Sequence, residues 1–174
     1  HVHAFDKTGA GSGTRASFGG DLYRFSGLLI LDGETGAEKR RIRLPIYWTS
    51  WLTIADLDGD GSSEFVWNTQ GRVYAVGTDG RIRWTYAFVP GGLPGSPDAY
   101  SGVANAQVYD LDGDGVPEVV TTSLSELVIL DGRTGLPRAS HPSSGLHGSY
   151  YAAQNVQLVD ADDDGHVDIL ATNV

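Results

Sequence analysis

Three stretches of this sequence set their acids in one register. "DLDGDGSSE" begins at Asp56, "DLDGDGVPE" at Asp110 and "DADDDGHVD" at Asp160. Positions 1, 3, 5 and 9 are acidic in all three. They are Asp56, Asp58, Asp60 and Glu64, then Asp110, Asp112, Asp114 and Glu118, then Asp160, Asp162, Asp164 and Asp168. Position 6 is always glycine: Gly61, Gly115 and Gly165. A lone acidic run reads as a solvated loop, but solvated loops need no shared register. Carboxylates this close repel one another, and a hard cation relieves the repulsion. Calcium takes six to eight oxygens at ~2.3–2.6 Å. Side chains at 1, 3 and 5 can converge when the chain curls around an ion, and glycine at 6 permits the curl. The position 7 carbonyl, from Ser62, Val116 or His166, can then turn inward. About three calcium ions are expected, one per loop.

An EF-hand would end on a bidentate Glu at position 12 and be flanked by helices. These loops end at position 9 and run into "EFVWN", "EVVTT" and "DILAT". Those tails are short and rich in β-formers, so they predict strands.

A second motif recurs with the acids. "LLILDGETG" spans Leu28 to Gly36 and "LVILDGRTG" spans Leu127 to Gly135. Looser copies are "VYAVGTDG" at Val73 to Gly80 and "VHAFDKTG" at Val2 to Gly9. Each predicts a strand, a tight turn and a returning strand, of which "RIRWTY" at Arg81 to Tyr86 is the clearest. The motifs keep phase: Asp56 to Val73 and Asp110 to Leu127 are both seventeen residues. The loops repeat after fifty-four and then fifty residues, the size of a four-stranded propeller blade. Helical periodicity is absent, so the fold class is all-β. Approximate repeats are 1–45 (degenerate), 46–98, 99–148 and 149–174, the last needing a strand hairpin such as 1–9 to complete it.

"DLDGDGVPEVV", with "LVILDGRTG" seventeen residues on, resembles the FG-GAP/VCBS-type repeats of calcium-binding β-propellers. Such repeats occur in integrin α-subunit heads, secreted bacterial proteins and rhamnogalacturonan lyases. The resemblance covers residues 46–174 well and 1–45 loosely. It implies β-propeller-type blades of antiparallel strands, with calcium held by the acids at 1, 3, 5 and 9 and the carbonyl at 7. It is specific for the repeat type and not for an activity. Seventeen residues before Leu28 lies Gly11, where no acidic loop exists, so a fourth site is not expected.

The remaining features bound the function. A formal charge of −10 disfavours nucleic acid, since no basic patch could neutralise phosphates. Three calcium ions would bring it to about −4. The densest basic run, "EKRRIR" at Glu38 to Arg43, alternates like the solvent face of a strand. No cysteine is present, and no run of eighteen apolar residues predicts a membrane span. "GAGSGT" at Gly9 to Thr14 lacks the ending of a phosphate loop and reads as a connection. His141 and His147 lack metal-ligand spacing. No catalytic constellation emerges. Tyr47, Trp48, Trp51, Tyr100, Tyr150 and Tyr151 cluster ahead of the acidic loops. They could pack between blades or stack on sugar rings.

The chain opens on His1 rather than Met, so a processed chain or a piece of a longer one is expected, and no signal peptide precedes it in this sequence. Three arrangements fit the half-repeats at its ends: a segment of a larger propeller, a closed four-bladed ring, or blades completed between neighbouring copies by strand addition. The expected function is a non-catalytic, calcium-stabilised extracellular or cell-surface module. Its partner would be a protein or glycan, or copies of itself assembled head-to-tail. The competing expectation is a fragment of a calcium-dependent polysaccharide lyase.

Overall fold

The position 9 acids open strands, as their apolar tails predict. In the computed structural model, residues 2–4, 27–43, 52–69, 72–88, 105–123, 126–142 and 155–172 are described. Among them every regular element is a β-strand, every pairing is antiparallel, and no helix is long and apolar enough to cross a membrane. The chain divides into two compact units, His1–Tyr47 and Trp48–Val174.

The first unit holds a sheet of β1 (Val2–Ala4), β2 (Gly27–Leu31) and β3 (Glu38–Arg43), in that order. β3 is the "EKRRIR" run, and only Ile42 is buried along it. Val2 faces Ile30 across the β1–β2 ladder. β1 pairs with β2, and the turn and returning strand that "VHAFDKTG" predicts at the chain start lie outside the described residues. The motif match rested on Asp6 to Gly9, which lie outside the described residues.

The second unit repeats one blade. Its first sheet runs β4 (Leu52–Ala55), β5 (Glu64–Thr69), β6 (Arg72–Gly77) and β7 (Ile82–Ala87). Its next sheet runs β8 (Gln107–Tyr109), β9 (Glu118–Thr122), β10 (Glu126–Asp131) and β11 (Pro137–Pro142). β12 (Asn155–Val159) and β13 (Asp168–Thr172) pair as a third sheet of two described strands. Each acidic loop joins the first strand of a sheet to the second. Each Gly/Asp/Thr turn joins the third to the fourth, with a register shift entering the turn.

The second strands are the most enclosed. Glu64 to Asn68 are buried without a break, and so are Glu118 to Thr122. A strand buried on both faces reads as a continuous apolar run rather than an alternating one. Leu57, Val66, Val73, Trp84, Val119, Val128 and Leu130 pack as one core shared by the two four-stranded sheets.

Polar contacts tie each sheet to the next at matching places. The Thr53 hydroxyl of β4 donates to the Ala106 carbonyl at 2.6 Å, just ahead of β8. Val156 N–H of β12 donates to Asn105 Oδ1 at 3.0 Å. Asn68 of β5 donates to Thr121 Oγ1 at 2.9 Å and to the Thr122 carbonyl at 3.0 Å. Trp84 of β7 reaches the β10–β11 turn, where its indole N–H donates to the Gly132 carbonyl at 2.7 Å. Its ring lies over Gly135, where a Cβ would come within 2.6 Å of the ring carbons, so no side chain fits there.

The loops also fix their backbone. Position 4 is left-handed in the first two loops at Gly59 (φ 77) and Gly113 (φ 76). The third loop makes the same turn with Asp163 (φ 60), the one non-glycine residue with positive φ among the described residues. Asp tolerates this region better than most residues but still bears a steric cost.

Two stability outcomes follow from these contacts. Asp163→Gly should raise the unfolding free energy by about 1 kcal/mol. Trp84→Ala should lower it by about 3–5 kcal/mol, as for other large buried aromatics, and Trp84→Phe by less. Urea denaturation at fixed calcium measures both. An Asp163→Gly protein no more stable than the parent would show that the left-handed residue carries no strain.

Candidate metal centre

Each loop is wound by its own backbone N–H groups, and the pattern repeats three times. The position 6 N–H donates to Oδ2 of the position 1 acid: Gly61 to Asp56 at 2.8 Å, Gly115 to Asp110 at 2.9 Å, Gly165 to Asp160 at 2.9 Å. The position 5 N–H donates to Oδ1 at position 3: Asp60 to Asp58 at 3.1 Å, Asp114 to Asp112 at 3.2 Å, Asp164 to Asp162 at 3.3 Å. The position 7 N–H of Ser62, Val116 and His166 donates back to Oδ1 of Asp60, Asp114 and Asp164 at 2.6, 2.8 and 2.8 Å.

Position 9 closes each loop from the strand side. Leu57 N–H donates to Glu64 Oε2 at 3.0 Å, Leu111 N–H to Glu118 Oε2 at 2.8 Å, and Ala161 N–H to Asp168 Oδ2 at 2.9 Å. The acid that starts the second strand is thus pinned to the second residue of the loop. This leaves one oxygen of position 3 and one of position 9 without a bond from the loop backbone.

The carboxylates of positions 1, 3 and 9 converge. Ligand oxygens of Asp56, Asp58 and Glu64 lie within 4.8 Å of one another. The same holds for Asp110, Asp112 and Glu118, and for Asp160, Asp162 and Asp168. Asp60, Asp114 and Asp164 stand outside those converging sets, each engaged with the position 7 N–H. The donors are all oxygen, which suits a hard cation and not a soft or imidazole-seeking metal.

The electrostatics ask for a positive charge. Burial pushes the Glu64 carboxyl above the usual range, and the neighbouring Asp58 and Asp60 push it further. The Leu57 N–H and the Arg83 guanidinium pull the other way. The Gly61 N–H holds Asp56 below the usual carboxylate range, so Asp56 is charged at neutral pH. In the second loop, the Arg138 guanidinium pairs with Asp112 Oδ2 and Glu118 Oε1, the two oxygens the backbone leaves over. A cation therefore already pairs with two of that cluster's three carboxylates.

The turns between third and fourth strands are Asx turns. Asp131 accepts from the Thr134 hydroxyl at 2.7 Å and from its N–H at 2.8 Å, which hold its carboxyl low. Asp32 and Thr35 repeat this in the first unit, where Lys39 adds an ion pair at 2.8 Å. Lys39 is the largest cause of the low Asp32 pKa.

Sequence reasoning missed the arginines beside the loops and the left-handed position 4. The signals were present: Gly59 and Gly113 at position 4, and a basic residue shortly after each turn. Tyr47, Trp48, Trp51, Tyr100, Tyr150 and Tyr151 lie outside the described residues, as do the Gly9 to Thr14 stretch and His147. His141 is exposed on β11.

Comparison with known proteins matches the two central loops. Residues 56–121 match the family model described as FG-GAP-like repeat, from the first acid of one loop to the strand after the next. Among solved structures, BamB from Moraxella catarrhalis is 20% identical with a TM-score of 0.50, over 76% of this chain and 38% of that one. The V. cholerae biofilm matrix protein Bap1 is 21% identical with a TM-score of 0.48, over 62% of this chain and 16% of that one. The chain thus matches well under half the length of either. No curated protein matches it. The likeness to BamB concerns the fold alone. With blade-like antiparallel sheets joined by acidic loops in one register, this all-β chain carries an FG-GAP-like repeat across residues 56–121.

Proposed function

We propose that this chain is a non-catalytic, calcium-stabilised binding and scaffolding module that works outside the cell on a protein or glycan partner. The observation that carries the reading is the threefold convergence of carboxylates at positions 1, 3 and 9, each set within 4.8 Å. Three independent loops spend their backbone N–H groups on holding acids together, at an electrostatic cost that a bound divalent ion offsets. Calcium would supply that charge. Asp56, Asp58 and Glu64 would hold it in the first loop, Asp110, Asp112 and Glu118 in the second, and Asp160, Asp162 and Asp168 in the third. Asp60, Asp114, Asp164 and the carbonyls of Ser62, Val116 and His166 would complete the shell with water.

The placement of the loops supports a stabilising role. Position 9 is both a ligand and the first residue of a second strand, so an ion there would clamp the first strand to the second. The FG-GAP-like repeat supports the same reading, because the match spans two of the loops. Self-assembly is part of the proposal. Among the described residues β13 pairs with β12, and Leu170 of β13 is exposed. Strand addition from another copy would extend that sheet.

Calorimetry with metal analysis should find about three calcium sites, with dissociation constants of ~10⁻⁴–10⁻³ M as in other extracellular modules. Zero stoichiometry sinks the reading. At hundredfold excess over Kd each site should add roughly 2.7 kcal/mol. Chelation should therefore lower the melting temperature by many degrees, and Asp112→Ala should lower it by less. Sedimentation across a concentration series tests assembly, and a monomer throughout would remove that part of the proposal.

A further inference from the structure

The strands that follow the Gly/Asp/Thr turns carry a cation at one place. Lys39 is the second residue of β3, Arg83 of β7 and Arg138 of β11. Their partners differ. Lys39 closes on Asp32 at 2.8 Å. Arg83 is held by Asp79, four residues back, at 3.1 Å, and lies across Gly77. It stays 4.0 Å from Glu64. The residue four before Arg138 is Thr134, and its hydroxyl is spent on Asp131. The guanidinium turns into the second loop and pairs with Asp112 and Glu118. Those are two of the three converging carboxylates there. Among the described residues no Lys or Arg pairs with the third loop.

We infer that Arg138 is an internal counter-ion of the second loop that competes with calcium for Asp112 and Glu118, so that this loop fills after the other two. The inference rests on the calcium reading above. A guanidinium with one nitrogen on each carboxylate and an ion bound to the same oxygens exclude each other. Each therefore lowers the affinity of the other by the same factor. The device has two faces. At low calcium Arg138 supplies the charge that the second loop needs and keeps it wound. At high calcium it must swing away, so this loop responds over a higher range. Asp79 spares the first loop by holding Arg83 aside.

The amides of Gly61, Gly115 and Gly165 each donate within one loop, so their resonances in a nitrogen–proton correlation spectrum report the loops separately. In a calcium titration of the whole chain, Gly115 should shift last. Arg138→Gln should move the Gly115 midpoint to about tenfold lower calcium and leave Gly61 and Gly165 in place. Asp79→Asn should free Arg83 and move the Gly61 midpoint to higher calcium. It keeps the test available if Arg138→Gln fails to fold. In chelator, Arg138→Gln should melt below the parent. A Gly115 midpoint that is unmoved or raised in Arg138→Gln overturns the competition, as does an unmoved Gly61 in Asp79→Asn. Silence of all three glycines would overturn the calcium reading instead. Melting in chelator would then still decide whether Arg138 is the counter-ion, and an unchanged melt would refute it.

Discussion

Everything in the second unit hangs on backbone N–H groups that point at carboxylates. Each acidic loop has no ladder of its own, so its main-chain donors need acceptors, and the loop's own acids supply them. Charge-assisted bonds of this kind are stronger than bonds between neutral groups. The result is a tight winding that delivers the chain from the first strand to the second with no slack. It concentrates negative charge as a by-product. Stability and charge repulsion are thus built from the same atoms, and in the second loop the Arg138 guanidinium offsets the conflict.

The winding sets the sheets, and the sheets meet through a few repeated contacts. Thr53 with Ala106 and Asn105 with Val156 link first strands to the entry of the next. Asn68 with Thr121 links second strands, and Trp84 with Gly132 links a fourth strand to the next turn. Each gives a polar group at the sheet interface a partner beside the apolar packing around Leu57, Val66 and Val119. Arg133 adds a bond from that turn to the Asp58 carbonyl at 3.2 Å. The acidic cluster of the first loop and the sheet interface are therefore neighbours.

Much of this was legible in the sequence, for reasons that can be named. The acid register and the glycine at position 6 are local chemistry, and local chemistry repeats visibly. The strands after Glu64, Glu118 and Asp168 follow from apolar tails with β-branched residues. What stayed hidden depends on tertiary neighbours. Arg138 looks like any solvent-facing strand residue until Asp112 and Glu118 are seen beside it. The pairing of Val2–Ala4 with β2 was also hidden, because three residues carry too little pattern to fix a register. Convergence of positions 1, 3 and 9 ahead of position 5 depends on where the position 7 N–H points.

The cross-sheet hydrogen bonds have a consequence for how such a chain comes into being. Among the described residues they join partners 40 to 75 positions apart, about one blade of sequence. In this respect the second unit behaves as a quasi-one-dimensional array, with each blade resting on the one made before it. During synthesis a finished blade can therefore wait as a template: Thr53 and Trp84 are in place before Ala106 and Gly132 emerge. Folding can keep pace with elongation, and a fault in one blade is felt first by the blade that follows.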